Sequence, residues 1–216
     1  GMAGGSVLAV PFANLPAVRE RRPHIHMGPE QPYADDRGHN MNRTWPGRKN
    51  GNDTERVAYA LCQAVARKAT HVLDLHCWET CRAPAVLIRD RPDLRDLARK
   101  IGHLFVDVRP PSNRTLGGLL SGSGRVGMTY ECSGQYVVDE REVRHCLRVI
   151  TNLAKAIGIL PGAPEPESGT VLFSDEAETT PVLVPTGGLF VGRDLRPCDP
   201  VKKGAVLGHI LSARDP

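Results

Sequence analysis

The stretch His71-Val72-Leu73-Asp74-Leu75-His76 decides how this chain folds. It is a short, largely apolar run that favours a β-strand and carries an Asp-Leu-His triplet to the end of that strand. In α/β proteins, ligands bind at such sheet edges. Asp74 and His76 are two residues apart, so they share one face of the strand. The triplet therefore predicts a chemical site, although a histidine that only hydrogen-bonds to the backbone fits the pattern as well.

Strand and helix patterns alternate on both sides of this stretch. Asn52 and Glu55 have the spacing of a capping box, which predicts the start of a helix. Helical periodicity then recurs downstream. This alternation predicts an α/β fold, with a mixed sheet flanked by helices. The predicted strands are 7–10, 71–75, 85–88, 106–108 and 128–132, and the predicted helices are 52–65, 92–103 and 139–157.

The character of the sequence changes at a proline-rich segment, residues 161–169, which reads as a linker. Short β-like runs separated by turns follow it. We therefore expect an α/β domain over residues 2–160 and a small C-terminal β module over residues 170–216.

Composition narrows the class of protein. The chain has 216 residues, 40% of them apolar and 24% charged, as in an ordinary globular protein. Its net charge of +4 is spread along the chain, which argues against nucleic-acid binding. No apolar run reaches the roughly 20 residues that cross a membrane, and there is no secretory pattern. The six cysteines form no CxxC pair, so we expect reduced thiols and a cytoplasmic protein.

Two further segments carry chemistry. Asn42-Arg43 combines an amide with a guanidinium that can hold a carboxylate by two hydrogen bonds, although such pairs are also common in plain loops. Glu131 lies within a weakly polar predicted strand, where an inward carboxylate needs a reason. General acid–base catalysis is one such reason, and an outward-facing, solvated side chain is the alternative.

Taken in order, these segments resemble the succinylglutamate desuccinylase/aspartoacylase family of zinc-dependent deacylases, which have the zinc carboxypeptidase fold. The resemblance covers most of the chain, and its tail is similar to the β-barrel that is often appended in this family. The matching motifs are Asn14-Leu15-Pro16-Ala17, Asn40-Met41-Asn42-Arg43-Thr44-Trp45-Pro46-Gly47, Asp74-Leu75-His76, Thr129-Tyr130-Glu131 and, in the tail, Gly187-Gly188-Leu189-Phe190.

The resemblance implies a function and a set of roles. The chain is expected to hydrolyse the amide bond of an N-acyl amino acid or a related small carboxylate, with zinc as cofactor. His76 is implied as a zinc ligand, and Asn42 and Arg43 as the groups that bind the substrate carboxylate. Glu131 is implied as the general base and acid. Arg22 is our choice for the arginine that polarises the carbonyl, with Arg19 and Arg21 as alternatives.

One family motif is missing from the sequence. The family's first two zinc ligands come from a His-x-x-Glu motif before the Asn-Pro-x-Ala element, and residues 1–13 contain neither His nor Glu. His76-Cys77-Trp78-Glu79 has the same spacing and is one alternative. His24 and His26, with Glu30, are another, against the simpler reading of a solvated loop. We therefore also expect that the chain is a truncated or degenerate, non-catalytic homologue, or a homodimer that covers surface left open by the missing part.

Overall fold

The computed structural model divides the chain into two units, Gly1–Ala177 and Glu178–Pro216. It describes residues 4–25, 39–78, 82–103, 105–134, 139–169, 171–175, 182–195 and 199–212. The first unit is built on a five-stranded mixed sheet with helices on both faces, and the second contains a separate two-stranded sheet. This architecture confirms the predicted fold class.

Among its described residues, the first unit contains five α-helices and five strands. The helices are α1 (Leu15–Glu20), α2 (Asp53–Leu61), α3 (Pro92–Ile101), α4 (Leu116–Gly122) and α5 (Glu140–Ala156). The strands are β1 (His71–Cys77), β2 (Ala85–Arg89), β3 (Phe105–Arg109), β4 (Val126–Cys132) and β5 (Leu172–Asp175). A 3₁₀ turn spans Met41–Arg43, and α2 continues into a π-helical turn, Cys62–Ala66.

The order of the strands brings two distant parts of the sequence together. The sheet runs β1-β4-β2-β3-β5, with β4 antiparallel to β2 and every other neighbouring pair parallel. In the β1–β4 pair, His76 lies opposite Glu131 and Asp74 lies opposite Thr129. Since side chains alternate along a strand, these four residues share one face of the sheet.

Each face of the sheet is covered by its own apolar cluster. On one face, alternate residues of β2, β3 and β4 pack against α3 and α5, with Leu94 and Ile101 fully buried. On the other face, α2 and α4 pack against β1, with Ala58 and Leu120 at the centre and Trp45 beside them. The second cluster lies on the face that carries His76 and Glu131, so α2 and α4 support the candidate site.

A close backbone approach holds α4 against β4. A Cβ atom at Gly127 would lie 2.2 Å from the carbonyl oxygen of Gly117. Only glycine at position 127 allows this contact, which fixes the beginning of α4 over the middle of the sheet.

The structure corrects three expectations. Residues 7–10 form no strand and are exposed, because no described strand lies beside them to complete the hydrogen bonds. Helix α4 was not predicted. Strand β5 pairs with β3 in the main sheet, so the units divide after Ala177 rather than within residues 161–169.

The second unit contains β6 (Leu189–Gly192) and β7 (Gly208–Leu211), which pair antiparallel. Among the residues that the structure describes, no helix combines the length and apolar character needed to cross a membrane.

Candidate active site

The candidate site lies where β1 and β4 end side by side. Glu131 occupies the last inward position of β4, and its side chain is buried, with 8% of the residue exposed. His76 lies beside it at the end of β1, with 30% of its side chain exposed. Burying a carboxylate charge in a strand is costly unless a neighbouring group offsets it. The pairing of β1 with β4 supplies that neighbour, because it places the His76 imidazole beside Glu131.

Asp74 holds the His76 ring. The Nε2 atom of His76 lies 3.0 Å from Oδ2 of Asp74 on the same strand face. Burial alone would lower the pKa of His76, but the charge and hydrogen bond of Asp74, together with the charge of Glu131, outweigh burial and raise that pKa above its ordinary value. Asp74 therefore holds the ring by a hydrogen bond, and Glu131 adds a second negative charge.

Burial is also the main influence on Glu131. It raises the pKa of this carboxyl above its ordinary value, while the positive charge of His76 opposes the shift. The charge of Asp74 raises the pKa further, and those of Arg109 and Arg43 lower it. A carboxyl group with a raised pKa is suited to both accept and donate a proton near neutral pH.

Asn42 links the loop, the strand and α4. Its Nδ2 atom lies 3.5 Å from Nε2 of His76, and its Oδ1 atom accepts a hydrogen bond from the backbone N–H of Leu116 at 3.1 Å. Asn40 caps the 3₁₀ turn, because its Oδ1 accepts from the N–H of Asn42 at 3.0 Å. Asn42 therefore adjoins His76, and its amide is oriented by the first residue of α4.

Arg43 lies on the rim of the same site. The residue is exposed, and its Nη1 donates to the carbonyl oxygen of Asn42 at 2.9 Å. Arg114 secures the loop by donating from Nε to the carbonyl oxygen of Arg43 at 2.7 Å. The charge of Arg43 lowers the pKa values of both His76 and Glu131, which places its guanidinium within electrostatic reach of both.

The candidates Arg22 and His24 follow α1. Arg22 is exposed just after α1, and its role in polarising a carbonyl stays a prediction. His24 is 7% exposed, so the expectation of a solvated loop is wrong at this position. His26, Glu30 and Glu79 lie outside the described residues.

Arg109 is a charged residue on the same sheet face as the site, at the other end of the strands, that sequence reasoning missed. It ends β3 on the same sheet face as Glu131 and forms an ion pair with Asp107. Its charge lowers the pKa of Glu131. The alternation of Asp107 and Arg109 with buried Val106 and Val108 was a signal in the sequence that would have marked it.

The described residues do not by themselves fit a catalytic zinc ion. Such an ion takes three protein ligands, and no group of three or more His, Cys, Asp or Glu side chains in the described part of the chain is arranged to hold a metal. When Nε2 of His76 donates its proton to Asp74, that nitrogen has no lone pair for a metal. The arrangement does supply a buried acid–base group, an oriented imidazole and an arginine on the rim.

Comparisons with known proteins agree with these motifs. The sequence profile of the "Succinylglutamate desuccinylase/Aspartoacylase catalytic domain" matches residues 3–157. No curated protein gives a significant sequence match.

Several solved structures share the fold. A succinylglutamate desuccinylase/aspartoacylase from Rhodobacter sphaeroides superposes with a TM-score of 0.73 at 23% identity, covering 94% of this chain and 62% of that one. A succinylglutamate desuccinylase from Silicibacter sp. gives 0.73 at 21% identity, with 94% and 61% covered. The product-bound ectoine utilization protein EutE (DoeB) from Ruegeria pomeroyi gives 0.73 at 21% identity, with 93% and 61% covered.

The chain spans about three fifths of the length of these solved relatives. At such identities the superpositions establish the fold, whereas the profile match covers more than half of the sequence. This chain belongs to the succinylglutamate desuccinylase/aspartoacylase family.

Proposed function

We propose that this chain carries the acid–base and substrate-binding part of a deacylase that hydrolyses the amide bond of an N-acyl amino acid or a related small carboxylate. The observation that carries the proposal is the in-register pairing of β1 with β4, which sets buried Glu131 beside His76. The family is one of deacylases, and burial raises the pKa of Glu131 above its ordinary value, as suits a general acid–base group.

In this proposal Glu131 moves the proton twice. As a carboxylate it takes a proton from the water that attacks the amide carbonyl, and as a carboxylic acid it then gives the proton to the departing amine nitrogen. Its raised pKa makes the carboxylate a stronger base toward that water and keeps the proton on Glu131 until the amine leaves. His76 is held in place by Asp74, with the Asn42 amide beside it.

Arg43 would bind the carboxylate of the substrate. Its guanidinium lies on the exposed rim, and a planar fork of N–H donors matches the two oxygens of a carboxylate. Asn42 would complete this contact or orient the loop, and Arg22 would polarise the carbonyl. Zinc with His76 as one ligand is part of the proposal, but the other ligands must come from residues beyond those described.

The test is an assay of primary amine release from a panel of N-acetyl and N-succinyl amino acids, with and without added Zn²⁺. Glu131→Gln should lower the rate about 10³-fold, since a general acid–base typically supplies 10² to 10⁴. The matched control is Glu140→Gln, because the Glu140 side chain is 93% exposed and belongs to α5, which packs on the opposite face of the sheet. Equal rates for the Glu131 variant and the unaltered chain would exclude this role.

A second candidate is a non-catalytic homologue that keeps the carboxylate-binding loop. The incomplete set of metal ligands favours it. Calorimetry should then detect binding of N-acyl amino acids without release of amine, even with Zn²⁺ present. Arg43→Gln should weaken that binding by about tenfold or more, and the exposed Arg56→Gln should not. The predicted homodimer can be tested on the same samples by sedimentation velocity.

A further inference from the structure

Two thiols lie together on the opposite face of the sheet from the candidate site. Cys132 ends β4 one residue after Glu131, and Cys146 lies in the second turn of α5. Both are partly buried against the apolar cluster beneath α3 and α5. Each thiol is the largest influence on the pKa of the other. Neither forms a disulfide in this structure.

The backbone fixes the approach of these two residues. Ser133, next to Cys132, donates from its N–H to Oε2 of Glu142 at 3.0 Å. Glu142 and Cys146 are four residues apart, so they lie on the same face of α5. Two adjacent positions at the end of β4 therefore contact two positions on one stripe of α5, and the pairing of the thiols follows from the packing of the helix on the strand.

The environment favours one of the thiols as a nucleophile. The hydrogen bond from Cys132 lowers the pKa of Cys146 to about 7, against the opposing effects of burial and of Glu142. The same interaction, with burial, raises the pKa of Cys132. The thiolate is the reactive form of cysteine, and a thiol whose pKa is near ambient pH is partly ionised to it. Among the described residues, the buried Tyr130 hydroxyl has no hydrogen-bond partner, and it lies within electrostatic reach of both sulfurs.

We propose that Cys132 and Cys146 form a peroxide-sensitive dithiol that closes reversibly to a disulfide. The Cys146 thiolate attacks one oxygen of hydrogen peroxide, the O–O bond breaks, and the departing hydroxide is protonated to water, leaving a sulfenic acid on Cys146. Cys132 then attacks that sulfur, the S–S bond forms, the S–O bond breaks, and the second hydroxide leaves as water with the Cys132 proton. Two thiols and one peroxide thus become a disulfide and two waters, and a small dithiol returns the two electrons.

Closure would tie β4 to α5 through a loop of about 15 residues. Because such a bond restricts the unfolded chain, oxidation should raise the melting temperature by about 6 °C, and reduction should reverse the rise. These readouts do not depend on catalysis, so they can fail or succeed independently of the proposed function. Reversible intramolecular bonds of this kind are the usual use of disulfides in a reducing compartment.

The experiment treats the whole chain with one to five equivalents of hydrogen peroxide, blocks the remaining thiols with N-ethylmaleimide, and digests with trypsin. The expected product is a disulfide between the peptides 126–141 and 145–148, lost after dithiothreitol. Cys146→Ser and Cys132→Ser should each abolish this product and the shift in melting temperature. Cys62→Ser is the matched control, because Cys62 is buried under α2 and takes no part.

Other products would overturn the proposal. Among the described cysteines, Cys77 is a competitor, because it lies opposite Cys132 in the β1–β4 register. A link from 126–141 to the peptide 69–82, which contains Cys77 and Cys81, would show that α5 does not supply the partner. Methionine oxidation with both thiols still free, or irreversible oxidation of Cys146 without a linked peptide, would equally refute the dithiol.

Discussion

Replacing Gly127 by alanine should loosen α4 and destabilise the fold. The new Cβ atom would lie 2.2 Å from the Gly117 carbonyl oxygen, 2.9 Å from its carbonyl carbon and 3.0 Å from its Cα. All three are backbone atoms, so no side chain can rotate away and α4 itself must retreat by about 1 Å. Overpacking costs about 1 to 3 kcal/mol, and backbone contacts indicate the upper end. About 0.5 kcal/mol is regained because alanine loses less entropy than glycine in a strand.

The expected net loss is therefore about 2.5 kcal/mol, which corresponds to a fall in melting temperature of about 5 to 10 °C. Calorimetry or circular dichroism at matched concentration measures it. The facing Gly117→Ala is the control, since its Cβ would meet no atom closer than the Thr129 hydroxyl at 3.3 Å, and alanine is the better helix former by about 1 kcal/mol. Equal melting temperatures for the two variants would show that the close approach of α4 to β4 does not require glycine at position 127.

Three further perturbations test the packing and the charges of the first unit. Asn152→Ala should lower the free energy of unfolding, measured in urea, by about 3 kcal/mol. The buried Asn152 amide hydrogen-bonds to the Ile101 carbonyl and to the backbone N–H and carbonyl of Glu165. A loss under 1 kcal/mol would contradict this reasoning. Burial lowers the pKa of His103, against the nearby charges of Glu167 and Glu142, so the unfolded chain binds the proton first and stability falls as pH drops below about 6.5. His103→Gln should therefore lose less melting temperature than the unaltered chain between pH 7.5 and pH 5, and parallel losses would refute the assignment. Asn52→Ala should cost about 1 kcal/mol, because it removes the side chain that accepts from the N–H of Glu55, whereas Asn50→Ala should cost almost nothing.

The helices and strands with strong local signals were predictable from the sequence. The capping box of Asn52 and Glu55 is present, and α2 begins directly after it. The run from His71 forms β1 and extends to Cys77. The position of such a segment can be predicted because a few neighbouring residues determine both its apolar face and its first residue.

The errors arose where tertiary contacts decide the outcome. Helix α4 contains Gly117 and Gly118, which disfavour a helix, and it forms because Thr115 caps it and Leu120 is fully buried. Residues 7–10 are as apolar as a strand but have no described neighbour to pair with. Strand β5 follows a proline-rich segment that resembles a linker, and only its pairing with β3 assigns it to the main sheet.

The candidate site shows the same division. The motifs identified His76, Glu131, Asn42 and Arg43 as separate positions, and their roles stay predictions. The register that sets His76 opposite Glu131, and the bond from Leu116 to Asn42, depend on strand order and on α4. Neither follows from spacing along the chain, because each joins segments separated by dozens of residues.

The unequal pairing of the two site strands has a consequence for local unfolding. Strand β4 is hydrogen-bonded on both sides, by β1 and β2, whereas β1 pairs only with β4 among the described strands. Backbone amides near Glu131 should therefore exchange with solvent only in the rarest openings, and those near His76 in more frequent ones. The Glu131 carboxyl would then stay fixed while the His76 side chain moves with local openings of β1. A ligand that bridges the two residues should slow hydrogen exchange in β1 far more than in β4.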